Sequence, residues 1–214
     1  MMTIRDLEII WNQVPPGYYE QGIVKNFLQK LWHERKWTIL RKMINKNYHH
    51  ILDIGCASGW LTARVAEILP KSVVSGVDVS RKMIRYAQER HPGIDFIYAD
   101  AHHLPFANDY FDLIICTETL EHVVDPLRVL SEIRRCLRFD GEAIISMDTS
   151  SPLFKLIWFF WVKTKGKVWD NAHLHEFNKA ELKDFFKKAK LGIKEEKISH
   201  LGMEMTFKLT KISR

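Results

Sequence analysis

Three aspartates close three consecutive apolar runs, and the first of them opens a glycine-containing loop. The run His50–Ile54 leads into Asp53-Ile54-Gly55-Cys56-Ala57-Ser58-Gly59, and a helical pattern follows at once. Glycine there lets the backbone turn sharply and approach a ligand with no Cβ between them. The helix start behind the loop presents unpaired N–H groups and the positive end of a dipole, which favour an anionic ligand group. Asp78 ends the second run, 19 residues after Gly59. A carboxylate so placed can accept hydrogen bonds from both hydroxyls of a ribose. Asp100 ends the third run, where its carboxylate could accept a hydrogen bond from a ligand while Ala101 offers its backbone N–H. Asp53 alone could be a strand-end cap. Three acids on successive strand ends instead describe a nucleoside site.

A dinucleotide fingerprint, G-x-G-x-x-G, would need glycines at 55, 57 and 60, where the chain has Gly55, Ala57 and Trp60. Trp60 would obstruct the close helix–strand packing that the third glycine permits. Nicotinamide-dependent hydride transfer is therefore disfavoured. Cys56 lies inside the loop, but no base is near it in sequence and a thiol nucleophile is not expected. His122 follows the fourth apolar run on the edge where a substrate should lie, as a general base, a substrate contact or a cap of its own loop. His102-His103 reads as a loop pair. His173 and His175 precede the last helix and are candidates to face the pocket, and Tyr18-Tyr19 could close over it from the N-terminal side.

These residues must be positioned by a βαβ array. Short apolar runs alternate with helical patterns from Asn47 to Met147, the signature of a parallel sheet. The predicted strands are His50–Ile54, Ser72–Val77, Ile94–Ala99, Phe111–Cys116 and Glu142–Met147, several continuous in Val, Ile and Leu, as strands covered on both faces are. Helices are predicted at about 58–69, 80–91 and 126–138. The last is opened by Asp125-Pro126 and closed by the turn signal Asp140-Gly141. Residues 20–46 read as one or two helices with Ile23, Phe27, Leu31, Ile39 and Leu40 as the apolar face. A helix from Lys179 to Lys190 has a capping box in Asn178 and Glu181. Ile193–Ser199 and Glu204–Ile212 read as an antiparallel pair, which brings the expected total to seven strands.

Composition bounds the rest. The 214 residues are 46% hydrophobic and 12% aromatic, enough for one domain with a real core and too apolar for disorder. Three cysteines without a C-x-x-C pair suggest a reducing, cytoplasmic compartment, no disulfide framework and no metal site. The first residues carry acids and no long apolar stretch, so no signal peptide is expected. The longest apolar run, Leu156–Val162, falls far short of the roughly 20 residues of a spanning helix. The net charge of +6 divides into +4 over residues 1–50, −5 over 51–150 and +7 over 151–214. Basic flanks can mark an anionic partner or be merely solvated.

The loop at 53–59 resembles the D/E-x-G-x-G-x-G loop of class I S-adenosylmethionine-dependent methyltransferases, departing from it at Ala57, which the fold should tolerate if its φ is negative. Asp100-Ala101-His102-His103-Leu104-Pro105-Phe106 resembles that family's D-A-x-x-L-P-F segment. Phe111-Asp112 with Leu120-Glu121-His122 and Asp125-Pro126 resembles the branch containing ubiquinone and menaquinone C-methyltransferases, and the resemblance extends over about residues 30–212. It implies a Rossmann-like, doubly wound α/β fold of seven strands, mostly parallel with a C-terminal antiparallel hairpin. One domain is expected: an N-terminal helical cap (1–47), a cofactor-binding core (48–147), a lid (148–177) and a C-terminal helix with the hairpin (178–214). It implies S-adenosyl-L-methionine as cofactor, held by Asp53, Gly55, Cys56, Ala57, Gly59, Asp78, Val79, Met83, Asp100, Ala101 and Thr117. It also implies methyl transfer to a small acceptor, with His122 the candidate catalytic residue. Tyr19, Trp158, Trp161 and His173 are the candidate acceptor and lid residues. The aromatic and lysine-rich segment 152–170 suits an apolar acceptor and peripheral contact with a membrane. Nucleic acid is a weaker alternative, because Thr117-Glu118-Thr119 lacks the Pro-Pro-Tyr type motif of base methylases; a non-catalytic cofactor-binding partner protein is another.

Overall fold

The structure is a computed structural model that describes residues 4–149, 151–164 and 173–212. Its elements run α1 (Ile4–Gln13), α2 (Tyr18–Lys25), α3 (Phe27–Met43), β1 (His50–Ile54), α4 (Trp60–Ile68), β2 (Val73–Asp78), α5 (Arg81–Arg90), β3 (Asp95–Tyr98), β4 (Phe111–Thr117), α6 (Pro126–Cys136), β5 (Leu137–Asp148), α7 (Pro152–Thr164), α8 (Lys179–Lys188), β6 (Leu191–Ser199) and β7 (Glu204–Lys211). The sheet has seven strands in the order β3-β2-β1-β4-β5-β7-β6. The first five are parallel, and β7 lies antiparallel between β5 and β6. Strand order reverses between β1 and β4, and ligands of such sheets bind outside the carboxyl ends at that switch point.

Alternate residues of the central strands feed two cores. Leu52, Ile54, Ile114 and Cys116 pack with Val129, Leu130, Ile133, Leu182 and Phe186 from α6 and α8. Ile51, Leu113 and Ile115 pack on the opposite face with Trp37, Leu40, Met43 and Val65 from α3 and α4. A sheet covered on both faces has no room for alternation with polar residues, and this is why these strands read as continuous apolar runs. Below the switch point, Lys208 is buried with Glu142; its Nζ lies 2.8 Å from Glu142 Oε2 and donates to Met43 O, also at 2.8 Å. That pairing ties the end of α3 to the sheet.

Several expectations are corrected. α1 falls within the expected helical cap of residues 1–47 but is not predicted as a helix of its own. Residues 20–46 split at Asn26, whose side chain caps α3 by accepting from Leu28 and Gln29 N–H. Of the two helices, the expected apolar face is kept at Leu40, which is buried, but Phe27 and Leu31 are exposed, and α3 buries Trp37 and Met43 beside Leu40. Asp140-Gly141 does not close α6. β5 already begins at Leu137, and a register shift against β4 between Phe111 and Leu113 absorbs the irregular stretch. The segment after β5 forms α7 as far as Thr164, and Lys165 and Lys167 lie outside the described residues.

Candidate functional site

The loop after β1 is built around left-handed backbone. Gly55 has φ +73°, and a Cβ there would collide with Thr119 Oγ1. Gly59 caps α4 with φ +79°, and a Cβ there would come within 2.6 Å of Phe96. Glycine is needed at both. Ala57, expected at negative φ, has φ +46°. The strained residue is held by Asp78, whose Oδ2 accepts from Ala57 N–H at 2.9 Å while Oδ1 accepts from Ser80 N–H at 2.8 Å. Burial pushes the Asp78 carboxyl above its usual range, with the N–H groups of Ser80, Ala57 and Val79 opposing. Asp53 is buried and accepts from Thr62 Oγ1 of α4 at 2.6 Å; burial lifts it to about 7, against the pull of Thr62.

A cleft opens over the carboxyl ends of β1, β2, β3 and β4. Gly55, Ala57, Asp78, Val79, Met83, Asp100, Ala101 and His122 all line it. A second hollow beside α3 is lined by Asp53, Cys56 and Thr117 together with Lys36 and Glu118, and shares Gly55 and Ala57 with the first. Gly59 lines neither; it packs on Phe96 and Ala87 behind the loop. Cys56 is buried, and burial raises its thiol well above the usual range, so it offers backbone and volume rather than a thiolate. Asp100 Oδ1 lies 2.6 Å from His102 Nδ1 and accepts from His102 N–H at 3.0 Å. Burial would raise Asp100, but these bonds outweigh it and hold the carboxyl below its usual range. His102 Nε2 in turn accepts from Asp125 N–H at 3.1 Å, which makes that ring a bracket between two loops.

Acceptor-side residues form a chain of rings. Trp11 meets His122 edge-on at 4.8 Å, His122 lies 4.7 Å from His173, and His173 stacks on Trp158 at 4.5 Å. Trp158 also packs with Val14 and Met83, so α7 borders the cleft. Trp161 is half-buried and lines neither hollow, and the Tyr19 side chain lies outside the described residues. His175 turns away, its Nε2 lying 2.9 Å from Val123 O.

Residues 52–145 match the family described as a methyltransferase domain. A malonyl-[acyl-carrier protein] O-methyltransferase of Hahella chejuensis is 35% identical over 50% of this chain and 39% of its own length. A demethylmenaquinone methyltransferase of Lactobacillus johnsonii is 29% identical over 73% of this chain and 66% of its own length. The chain thus spans less than two thirds of either curated relative. A Thermotoga maritima SAM-dependent methyltransferase has the same fold, with a TM-score of 0.73 at 21% identity over 96% of this chain and 100% of that one.

The Thermotoga neighbour is named as SAM-dependent, and the cleft of this chain has a lining that fits the nucleoside of S-adenosyl-L-methionine. Asp78 faces the cavity, Met83 and Val79 offer apolar surface, and Gly55 leaves the backbone bare. The sequence reading missed Trp11 and Lys36, which reach the site from the N-terminal helices. Lys36 Nζ lies 2.9 Å from Glu118 Oε1 and 3.5 Å from Glu204 Oε2. Burial would raise Glu118, but Lys36 outweighs it and brings the carboxyl down. Asp148 is pushed up to about 8 by burial and by the Glu118 charge.

Proposed function

We propose that this chain transfers a methyl group from S-adenosyl-L-methionine to a small apolar or amphiphilic acceptor drawn from a membrane surface, by in-line displacement. Bound cofactor supplies an electrophilic methyl on its sulfonium. The chain's residues supply alignment and dryness, which are the main demands of such a transfer. Asp78 orients the ribose, Met83 and Val79 bracket the adenine, and His122 with the Trp11 ring walls the acceptor side. His122 can take a proton only if the acceptor still holds one at neutral pH.

The observation that carries this reading is the two-sided character of α7. Trp158 packs inward on Met83, while Leu156, Ile157, Phe159 and Phe160 remain exposed beside Lys155 and Lys163. An apolar face edged by lysines suits an anionic lipid interface. No helix of the described residues is long and apolar enough to cross a membrane, so contact would be peripheral. The name of one relative, a demethylmenaquinone methyltransferase, supports an acceptor with an apolar body. Three buried cysteines, none in a disulfide, support a cytoplasmic setting.

The test is labelled S-adenosyl-L-methionine incubated with the chain and anionic vesicles carrying a demethylated quinone. Label extracted into the lipid phase, and its loss in Phe159→Glu/Phe160→Glu with cofactor affinity unchanged, is the expected result. Label confined to added RNA, or tight cofactor binding without product on any acceptor, would replace this reading with the nucleic-acid or the non-catalytic alternative.

A further inference from the structure

Where the carboxyl ends of β4 and β5 come together, three carboxylates converge from three separate places in the chain. Glu118 follows β4, Glu121 sits in the 3₁₀ turn Leu120–His122, and Asp148 ends β5. One oxygen of each lies within 4.8 Å of the other two. Glu121 sets this cluster apart from a solvated acidic patch. It is 2% exposed, and neither of its carboxylate oxygens accepts a hydrogen bond. A buried carboxylate without a partner is a rare and costly arrangement that calls for an occupant.

The neighbouring cation does not serve that purpose. Lys36 is engaged by Glu118 and Glu204, and the His200 ring also faces Glu204, at 3.2 Å. What does face the remaining carboxylates is imidazole nitrogen. His122 Nε2 lies 3.9 Å from Glu121 Oε1, and His173 Nε2 lies 3.7 Å from Asp148 Oδ2. These separations are too long for hydrogen bonds. They are the separations expected between two ligands of one ion, since bonds of about 2.0–2.2 Å place ligand atoms about 3–4 Å apart. Trp11 and Trp158 hold the two rings in place from the outside.

We propose that Glu118, Glu121 and Asp148 form the core of a site for a divalent transition-metal cation at the inner wall of the acceptor cleft, with His122 and His173 each standing beside one of these carboxylates. Mixed carboxylate and imidazole donors select ions such as Mn²⁺, Fe²⁺ or Zn²⁺ over Mg²⁺ and Ca²⁺, which prefer oxygen alone. Glu118 and His122 line the cleft, so the ion would be reachable by an acceptor oxygen. The proposal deepens the acceptor site described above, but the binding step needs neither cofactor nor acceptor.

The test uses the full chain, freed of metal by a chelator and titrated with Mn²⁺ while the electron paramagnetic signal of the free ion is followed. Saturable binding of one ion per chain is expected. Glu121→Gln and Asp148→Asn should each weaken it about tenfold or more, with affinity for S-adenosylhomocysteine unchanged. His173→Ala, which alters a half-buried ring outside the sheet, should weaken it as well and serves if either carboxylate variant fails to fold. Absence of saturable binding at millimolar Mn²⁺, or binding that survives in all folded variants, overturns the proposal. If cofactor affinity stays intact in that case, only the metal site is lost; if it is absent too, the reading of the whole cleft fails.

Discussion

Ala57→Gly should stabilise the protein, the reverse of what alanine-to-glycine changes usually do. Ala57 holds φ +46° at the bend of the loop. A Cβ in the left-handed region costs about 1–2 kcal/mol against the neighbouring carbonyl. Glycine removes that cost but gives the unfolded chain extra freedom worth about 0.4–1 kcal/mol. The difference favours glycine by about 0.8 kcal/mol at the midpoints, within a range of about 0–1.6 kcal/mol. The N–H that donates to Asp78 Oδ2 at 2.9 Å is kept, so the loop should keep its shape. Urea unfolding of purified protein without ligand measures the change. Ala63→Gly, in the interior of α4, is the internal contrast and should lose about 1 kcal/mol. Affinity for S-adenosylhomocysteine, read by calorimetry, should hold or improve, because a methyl group leaves the cleft wall. If Ala57→Gly and Ala63→Gly are destabilised alike, residue 57 does not occupy the left-handed region and the strain argument is wrong.

Asp78→Ala should weaken cofactor binding by about 1.5–3 kcal/mol and also lower stability by about 1–3 kcal/mol, because Ala57 and Ser80 lose the acceptor of their N–H groups. Calorimetric titration beside a melting curve checks both, and an unchanged dissociation constant would remove Asp78 from the ribose site. His122→Ala should reduce turnover far more than S-adenosylhomocysteine affinity, since the ring lies on the acceptor wall; steady-state kinetics with equal activity would return it to a structural role. Asp53 carries a carboxyl raised to about 7 by burial against the opposing Thr62 bond, so its contribution to stability is complete below the ordinary carboxylate range and is lost as pH rises through about 7. Asp53→Asn cannot ionise and keeps an acceptor for Thr62, so its melting temperature relative to wild type should climb from pH 5 to pH 8.5. A flat difference across that interval would show that Asp53 is ionised throughout.

The parts legible from the sequence are those set by local chemistry. β1, β4 and β5 announced themselves as short, nearly continuous apolar stretches because both faces are covered. Asn178 and Glu181 announced α8 through a reciprocal cap that the structure contains. The strand-end aspartates were visible because their spacing is fixed by the βαβ unit. What stayed hidden depends on tertiary placement. Ile4, Leu7, Ile10 and Trp11 have helical spacing and could have signalled α1, but nothing local says that Trp11 will end beside His122. Glu118, Glu121 and Asp148 carry no motif as a set, because β4 and β5 bring them together only at the sheet edge. Asp140-Gly141 reads as a turn; it belongs to β5 because that strand starts early and absorbs the mismatch as a register shift.

The position of β7 has a consequence for how the chain is made. Residues 204–211 are synthesised after every other strand, yet they occupy an inner place, and β6 touches the sheet only through them. As the chain emerges from the ribosome, β1 to β5 can assemble in order, but β5 keeps an open edge and β6 has nowhere to dock. Phe207 and Leu209, both fully buried, are then the last pieces of core to arrive. A nascent chain stalled before residue 204 would expose the Ile145 and Met147 strand to its neighbours, and release of the final segment would act as the step that commits the domain.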